Sequence, residues 1–211
     1  MLKISLCITC CNKDVNLLDS LLNEFEKQTF APFEIIIYCS GVKDIDIKDK
    51  ISIANNDVNI FSIISKKLTI QSIARNICAS VSSGDVLIFF DVDDIPHKQK
   101  IEVTNYVLNK DDIDFLLHSY SIDNVSSNEI NLENIKFKYN LTLDCNSTNI
   151  ICDSLPIHHS HIAVKKSIFK KIKFDETGSS YRKEDGIFCQ KLIEYNYKGV
   201  YIPEKLIFYT S

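Results

Sequence analysis

The chain has 211 residues, 45% hydrophobic and 25% charged, with only five Gly and four Pro; this excludes a disordered or low-complexity protein and fits one α/β domain. A net charge of −4 argues against a nucleic-acid partner, which needs a basic face to neutralise phosphates. No apolar run approaches the ~20 residues that cross a bilayer, and residues 2–9 are too short and too polar at their edges for a signal peptide, so a cytoplasmic location is expected.

In chain order, residues 4–9 read as a buried strand. Residues 15–28 read as an amphipathic helix with Leu17, Leu18, Leu21, Leu22 and Phe25 on one face and Asp14 in the first turn. Residues 34–39 form a second strand, ended by Ser40-Gly41, and residues 58–64 a third. Residues 69–82 are predicted helical, with Gly84 as a left-handed C-terminal cap. Residues 85–90 are apolar without alternation, which marks a strand buried on both faces. Pro96 is predicted in the first turn of a helix running to about residue 109. Further strands are predicted at residues 114–122, 161–164 and 200–209, with a helix over 184–195. Residues 123–157 are polar and Asn-rich and read as a long excursion over the active face.

Strand and helix alternating in this way imply a mostly parallel central sheet with helices on both faces, in one domain without internal repeats. Such sheets bind ligands at the C-terminal ends of their strands. That directs attention to residues 9–12, 39–41, 64–67 and 91–94. In a reducing compartment the eight Cys act chiefly as small apolar fillers. Cys7, Cys10 and Cys11 lack a second ligand pair at zinc spacing. Sequons begin at Asn124, Asn140 and Asn146, and they matter only in a secreted chain.

The sharpest feature is Phe90-Asp91-Val92-Asp93-Asp94, where an apolar strand delivers three carboxylates at its exit. Asp91 and Asp93 share a side while the chain stays extended. Carboxylates so close repel one another unless a cation lies between them, which favours Mg²⁺ or Mn²⁺ over a purely structural strand end. Asp94 is better explained as the N-cap of the helix beginning at Pro96.

The runs Ala74-Arg75-Asn76, Ser83-Gly84-Asp85 and Asp91-Val92-Asp93-Asp94, with Pro96 and Glu102, resemble the nucleotide-sugar half of family-two glycosyltransferases with the GT-A fold. So do Thr9-Cys10-Cys11-Asn12 after the first strand and Phe33-Glu34-Ile35-Ile36-Ile37 in the second. The resemblance runs over about residues 3–103 and resumes over about 158–209, where Glu184-Asp185 heads a helix. It implies a single GT-A-like domain, with residues 1–109 for the nucleotide sugar and 110–211 for the acceptor. The implied reaction moves a sugar from a UDP- or GDP-linked donor to a hydroxyl of a glycan, lipid-linked glycan or protein, with metal and with inversion.

By the same resemblance Thr9, Cys10, Asn12, Ser40, Gly41, Gln71, Arg75, Asp91, Val92 and Asp93 bind the donor. Asp91 and Asp93 hold the metal, joined by His161 from the cluster His158, His159 and His161. Arg75 reaches the diphosphate or a nearby Asp. Asp185 is the base that takes the acceptor's proton, and Glu184 orients the acceptor; the bland alternative is that both merely complement a helix dipole. The chain departs from the family at Cys39-Ser40-Gly41, where relatives carry an acid that contacts the base.

The basic stretch Lys165, Lys166, Lys170, Lys171 and Lys173, interleaved with Ile168, Phe169 and Ile172, is read as a solvated face, with contact to an anionic membrane as the alternative. Two other functions compete. One is a relative that binds nucleotide sugars without transferring them. The other is a haloacid-dehalogenase-like phosphatase, which also has Asp-x-Asp after a strand but carries Thr or Val where Ile95 stands.

Overall fold

Eight strands form the main sheet in the order β3-β2-β1-β4-β10-β6-β11-β5, and a separate three-stranded sheet has the order β7-β8-β9. The computed structural model describes residues 1–43, 58–110, 112–122, 128–144, 147, 149–157, 161–178 and 183–209. The strands are β1 (Ile4–Cys11), β2 (Glu34–Ser40), β3 (Asn59–Ser65), β4 (Val86–Asp91), β5 (Asp94–Pro96), β6 (Phe115–Ser121), β7 (Leu141–Leu143), β8 (Ile150–Cys152), β9 (Leu155–Ile157), β10 (Ala163–Lys165) and β11 (Gly199–Tyr209). The helices are α1 (Leu18–Glu26), α2 (Gln71–Val81), α3 (Lys100–Leu108), α4 (Lys166–Phe169) and α5 (Glu184–Glu194).

β1, β2, β3 and β4 run parallel, and so do β6 and β11; β10 is antiparallel to both β4 and β6. Six strands therefore point one way, and their C-terminal ends share one edge of the sheet. The sheet must curl. β5 follows β4 after a two-residue turn, yet it pairs with β11, three strands beyond β10's neighbour β4, through Tyr209↔Asp94 and Ile207↔Pro96. Strands in a flat sheet spaced ~4.8 Å apart would lie too far off for so short a link.

Alternation along the strands separates two cores. Ile4, Leu6 and Ile8 of β1 and Ile88 and Phe90 of β4 face α1 and α3, whereas Cys7, Leu87 and Phe89 face α2, α4 and α5. The second core is aromatic, with Phe174 stacked 4.3 Å from Phe188 and set edge-on to Phe89 at 4.9 Å. Ile168, Phe169 and Ile172 are buried in that core, so the lysines between them form a solvated face with no apolar side to insert into lipid. Among the described residues no helix is long and apolar enough to cross a membrane.

Three local expectations are corrected. Gly84 is not a left-handed cap: α2 ends at Ser82 in extended geometry, and the glycines with positive φ among the described residues are Gly41 and Gly178. Pro96 does not open a helix. It lies in β5, where a residue without N–H suits an edge strand, and α3 starts four residues later at Lys100. Asp94 consequently caps no helix and belongs to β5. Within the 123–157 excursion, the described part holds a short turn of helix at Leu132–Asn134 and the small sheet β7-β8-β9. Asn124, Asn146, His158 and His159 lie outside the described residues.

Candidate active site

The C-terminal ends of β1, β2 and β4, together with the loop after β3 and the first turn of α2, enclose a cavity of about 530 Å³. Thr9, Cys10, Ser40, Gln71, Asp91, Val92 and Asp93, all expected to bind the donor, line it. Asn12 and Gly41 adjoin it without lining it. The Asn12 N–H donates to the Ser40 carbonyl (3.1 Å) and the Gly41 N–H to the Ser65 carbonyl (2.8 Å), which closes the tips of β1, β2 and β3 together. Gly41 needs its φ of +72°, and Leu68 covers it so closely that an added Cβ would lie 2.9 Å from Leu68 Cδ2. Cys11, Lys13, Asp14, Leu68, Thr69 and Ile70 also line the cavity. Cys11 lies within the strand end at residues 9–12 to which the sequence pointed; the others it missed, although Leu68 directly follows the strand end at residues 64–67.

Beneath the cavity Arg75, on α2, is only 3% exposed. Its guanidinium donates to both Asp91 oxygens (3.1 and 3.3 Å) and, on the other nitrogen, to Asp185 at the head of α5; Glu184 lies 3.8 Å away. Phe174 sits under the guanidinium, with its ring centroid at 5.4 Å. Arg75 thus reaches a nearby Asp, one of the two partners expected for it, and joins the strand exit of β4 to the acidic pair at the head of α5. Burial alone lowers the Arg75 guanidinium, but Asp185, Asp91 and Glu184 outweigh it and hold the charge firmly. Glu184 Oε2 is buried without a hydrogen-bond partner among the described residues.

Asp91 also accepts from Gln71 Nε2 and from the Thr9 hydroxyl (3.4 Å). Burial raises its carboxyl, and the charges of Arg75 and His161 overcome this, so that it stays below the ordinary carboxylate range. Asp93 behaves oppositely. Desolvation, then Asp94 and Asp91, push its carboxyl up.

Asp91, Asp94 and His161 bring one ligand atom each within 4.8 Å of one another. His161 Nε2 meets Asp94 Oδ2 at 2.6 Å, and both side chains are buried. His161 holds a left-handed φ of +57°, and its Nδ1 is buried with no hydrogen-bond partner among the described residues. Two carboxylates and an imidazole carrying an unused buried nitrogen fit a divalent cation chemically. The trio contains Asp94 where sequence reasoning had Asp93: the extended backbone breaks at the turn Val92–Asp93, so alternation no longer pairs Asp91 with Asp93. Asp93 instead points to the cavity it lines.

The model of the family described as glycosyl transferase family 2 matches residues 5–173, most of the chain; Glu184 and Asp185 lie beyond that span. No protein of curated function matches in sequence. Among solved structures, S. aureus TarS 1–349 superposes with a TM-score of 0.73 at 18% identity over 99% of this chain, as does its complex with UDP-GlcNAc. The mannosyltransferase PcManGT from Pyrobaculum calidifontis, in complex with GDP-Man and Mn²⁺, superposes with a TM-score of 0.68 at 12% identity over 98% of this chain. The chain spans 60% of the TarS 1–349 structure and 56% of PcManGT. At these identities the superpositions establish the fold, which is the GT-A architecture. The family match over residues 5–173 takes in the cavity, Arg75 and the Asp91–Asp94–His161 cluster, and by it the chain belongs to glycosyl transferase family 2.

Proposed function

We propose that the chain transfers a hexose or N-acetylhexosamine from a nucleoside diphosphate sugar, UDP- or GDP-linked, to a hydroxyl acceptor with inversion. One observation carries this reading: a nucleotide-sized cavity over the ends of β1, β2 and β4 ends on Asp91, which is shared between Arg75 and a cluster suited to a divalent cation. Residues 1–109 would bind the donor and residues 110–211 the acceptor. The nucleoside and ribose would lie against Thr9, Cys10, Ser40 and Gln71, with Asn12 and Gly41 behind them. TarS and PcManGT, whose structures are described with UDP-GlcNAc and with GDP-Man, support the donor class.

In the transfer, the acceptor oxygen attacks the anomeric carbon and the bond from that carbon to the diphosphate oxygen breaks. The acceptor's proton passes to Asp185, while Glu184, with one oxygen unused, orients the hydroxyl. Arg75 keeps Asp185 and Asp91 in fixed relation, which orders the base relative to the donor site. Asp91, Asp94 and His161 would hold Mn²⁺, with Asp93 close by; an imidazole in the set favours Mn²⁺ over Mg²⁺. Such an ion supplies charge neutralisation for the departing diphosphate.

The test is a hydrolysis screen over nucleotide sugars with Mn²⁺ or Mg²⁺, read as free nucleoside diphosphate, which needs no acceptor. Release from one donor class is expected. Asp185→Asn is expected to keep donor binding and lose about 10²-fold or more in turnover to acceptor. A chain that binds a nucleotide sugar but never releases the diphosphate is a binding relative, not a transferase.

A further inference from the structure

Phe174 is the point at which the three elements carrying the site's charges meet. Its ring lies 5.4 Å under the Arg75 guanidinium of α2. It stands edge-on at 4.9 Å to Phe89, two residues before Asp91 on β4, and 4.3 Å from Phe188, one turn after Asp185 on α5. Phe174 itself belongs to no helix or strand, so no ladder satisfies its backbone. Asn76, the neighbour of Arg75, does so instead. Its Nδ2 donates to the Phe174 carbonyl (2.9 Å) and its Oδ1 accepts from the Phe174 N–H (3.1 Å), as a strand partner would. The second Nδ2 hydrogen goes to Glu176 Oε1 (2.7 Å). Asn76 and Phe174 are both buried.

We infer that Asn76 is a positioning residue for the transfer: by clamping Phe174 it sets the place of Asp185 relative to Arg75 and Asp91. This rests on the reading above, since it needs Asp185 as the base. Apolar contact is non-directional, so ring packing alone leaves Phe174 free to shift along its neighbours. Two directional hydrogen bonds to a single residue remove that freedom. Asn76 belongs to the donor half and Phe174, with α5, to the acceptor half, so the clamp is a joint between them across 98 residues of chain. Arg75 holds Asp91 and Asp185 from above the ring, and Asn76 anchors the ring beneath. A reacting group displaced by ~1 Å loses up to about 10²-fold in rate. An asparagine that only satisfied a buried loop would affect stability and leave the rate of the folded chain untouched.

NMR and kinetics together test this. Arg75 is one of two arginines in the chain, so its Nε–H signal in a ¹⁵N-correlated spectrum is identified by its absence in Arg75→Lys. That nitrogen is buried with no hydrogen-bond partner among the described residues and belongs to the guanidinium over the Phe174 ring, so its shift reports where the ring stands. Asn76→Ala is expected to move the signal and to lower kcat about 10-fold or more for hydrolysis of the nucleotide sugar that the wild type turns over with Mn²⁺. KM and the affinity for UDP or GDP are expected to stay within about two-fold, because the residues lining the cavity are untouched. Asn76→Ser leaves a hydroxyl and room for water, and carries the test if Asn76→Ala does not fold. Phe174→Leu keeps the clamp and loses the ring, and is expected to lower kcat in the same way; Glu176→Gln is expected to match wild type. Wild-type kcat in a folded Asn76 variant, a fall in kcat with the Arg75 signal unmoved, or a fall in nucleotide affinity as large as that in kcat overturns the inference and leaves the proposed transfer standing. Nucleotide binding by the wild type without release of diphosphate from any donor overturns the transfer, and the positioning role with it.

Discussion

Arg75 and Asp91 are held 3.1 Å apart beneath the cavity, and the same guanidinium grips Asp185, 110 residues further along the chain. Removing the buried guanidinium leaves three partly exposed carboxylates facing one another, at up to about 3–5 kcal/mol. Arg75→Ala is therefore expected to lose stability on that scale in urea unfolding. Arg75→Lys keeps the charge but presents a single point where the guanidinium spans two carboxylates. It is expected to fold with a smaller loss and to drop turnover about 10²-fold, as misplaced reacting groups do. Equal turnover in Arg75→Lys and wild type would show that the bridge is structural only.

Much of this corner is legible in the sequence because its signals are local. β1, β2 and β4 are predominantly apolar and buried along nearly their whole length, as strands covered on both faces must be, and their ends mark the cavity. The bridge from Arg75 to Asp185 is not legible in the sequence, since no periodicity links α2 to α5. Asp94 is not legible at all as a partner of His161. Its side is set by a turn at Val92–Asp93 and by pairing with Tyr209 at the other end of the chain, and alternation read along one strand carries neither. The small sheet fails for a simpler reason: its strands have three residues each, too few for a period of two to show.

The Asp91–Asp94–His161 cluster separates from the sequence-based pairing of Asp91 with Asp93 in a direct titration. Asp94→Asn and His161→Asn are expected to weaken Mn²⁺ binding, followed by electron paramagnetic resonance, by more than the ~10-fold that loss of an outer partner costs. His161→Asn suits the backbone, because Asn tolerates the left-handed φ of +57° found there. Asp93→Asn is expected to bind Mn²⁺ nearly as well as wild type. The reverse ranking would put the ion in the Val92–Asp93 turn.

Lys100 and His118 form a buried pair behind the cluster, Nζ to Nε2 at 2.6 Å, with exposures of 1% and 2%. His118 Nδ1 donates to the Ser119 carbonyl (2.8 Å), so Nε2 accepts from Lys100. Burial pushes the Lys100 ammonium down to about 7, with Asp94 pulling weakly the other way. Unfolded, it titrates near ~10.4. Between those values the unfolded chain binds the proton more tightly, so stability rises with pH, by at most about 1.4 kcal/mol per unit. Below pH ~7 both states are protonated and the penalty is constant. Lys100→Met carries no proton. The difference in unfolding free energy, wild type minus Lys100→Met, is expected to climb from pH 7 to 9, and a flat difference would show that the folded chain keeps Lys100 charged.

Gly84 is required by crowding rather than by a left-handed turn. A Cβ there would lie 2.5 Å from Ser5 Oγ and 2.7 Å from the Lys3 carbonyl, where the Ser83–Gly84 loop presses onto β1. The loop is held by a small network: the Gly84 N–H donates to Ser5 Oγ (2.9 Å), Ser5 Oγ to Glu34 (2.6 Å), and the Ser83 N–H and hydroxyl to Glu34 (2.6 and 2.8 Å). Burial raises the Glu34 carboxyl, but these donors outweigh it and hold it below the ordinary value. Its contribution is therefore present above pH ~4.3 and lost as pH falls through the folded-state value. Gly84→Ala is expected to cost about 1–3 kcal/mol by overpacking, a fall of several degrees in thermal melts at pH 7. Glu34→Gln is expected to melt lower than wild type at pH 7 and to converge with it as the pH is taken below 4. Wild-type melting for Gly84→Ala would mean that the loop yields freely, and a gap between Glu34→Gln and wild type that does not narrow in acid would mean that the carboxylate's charge holds nothing.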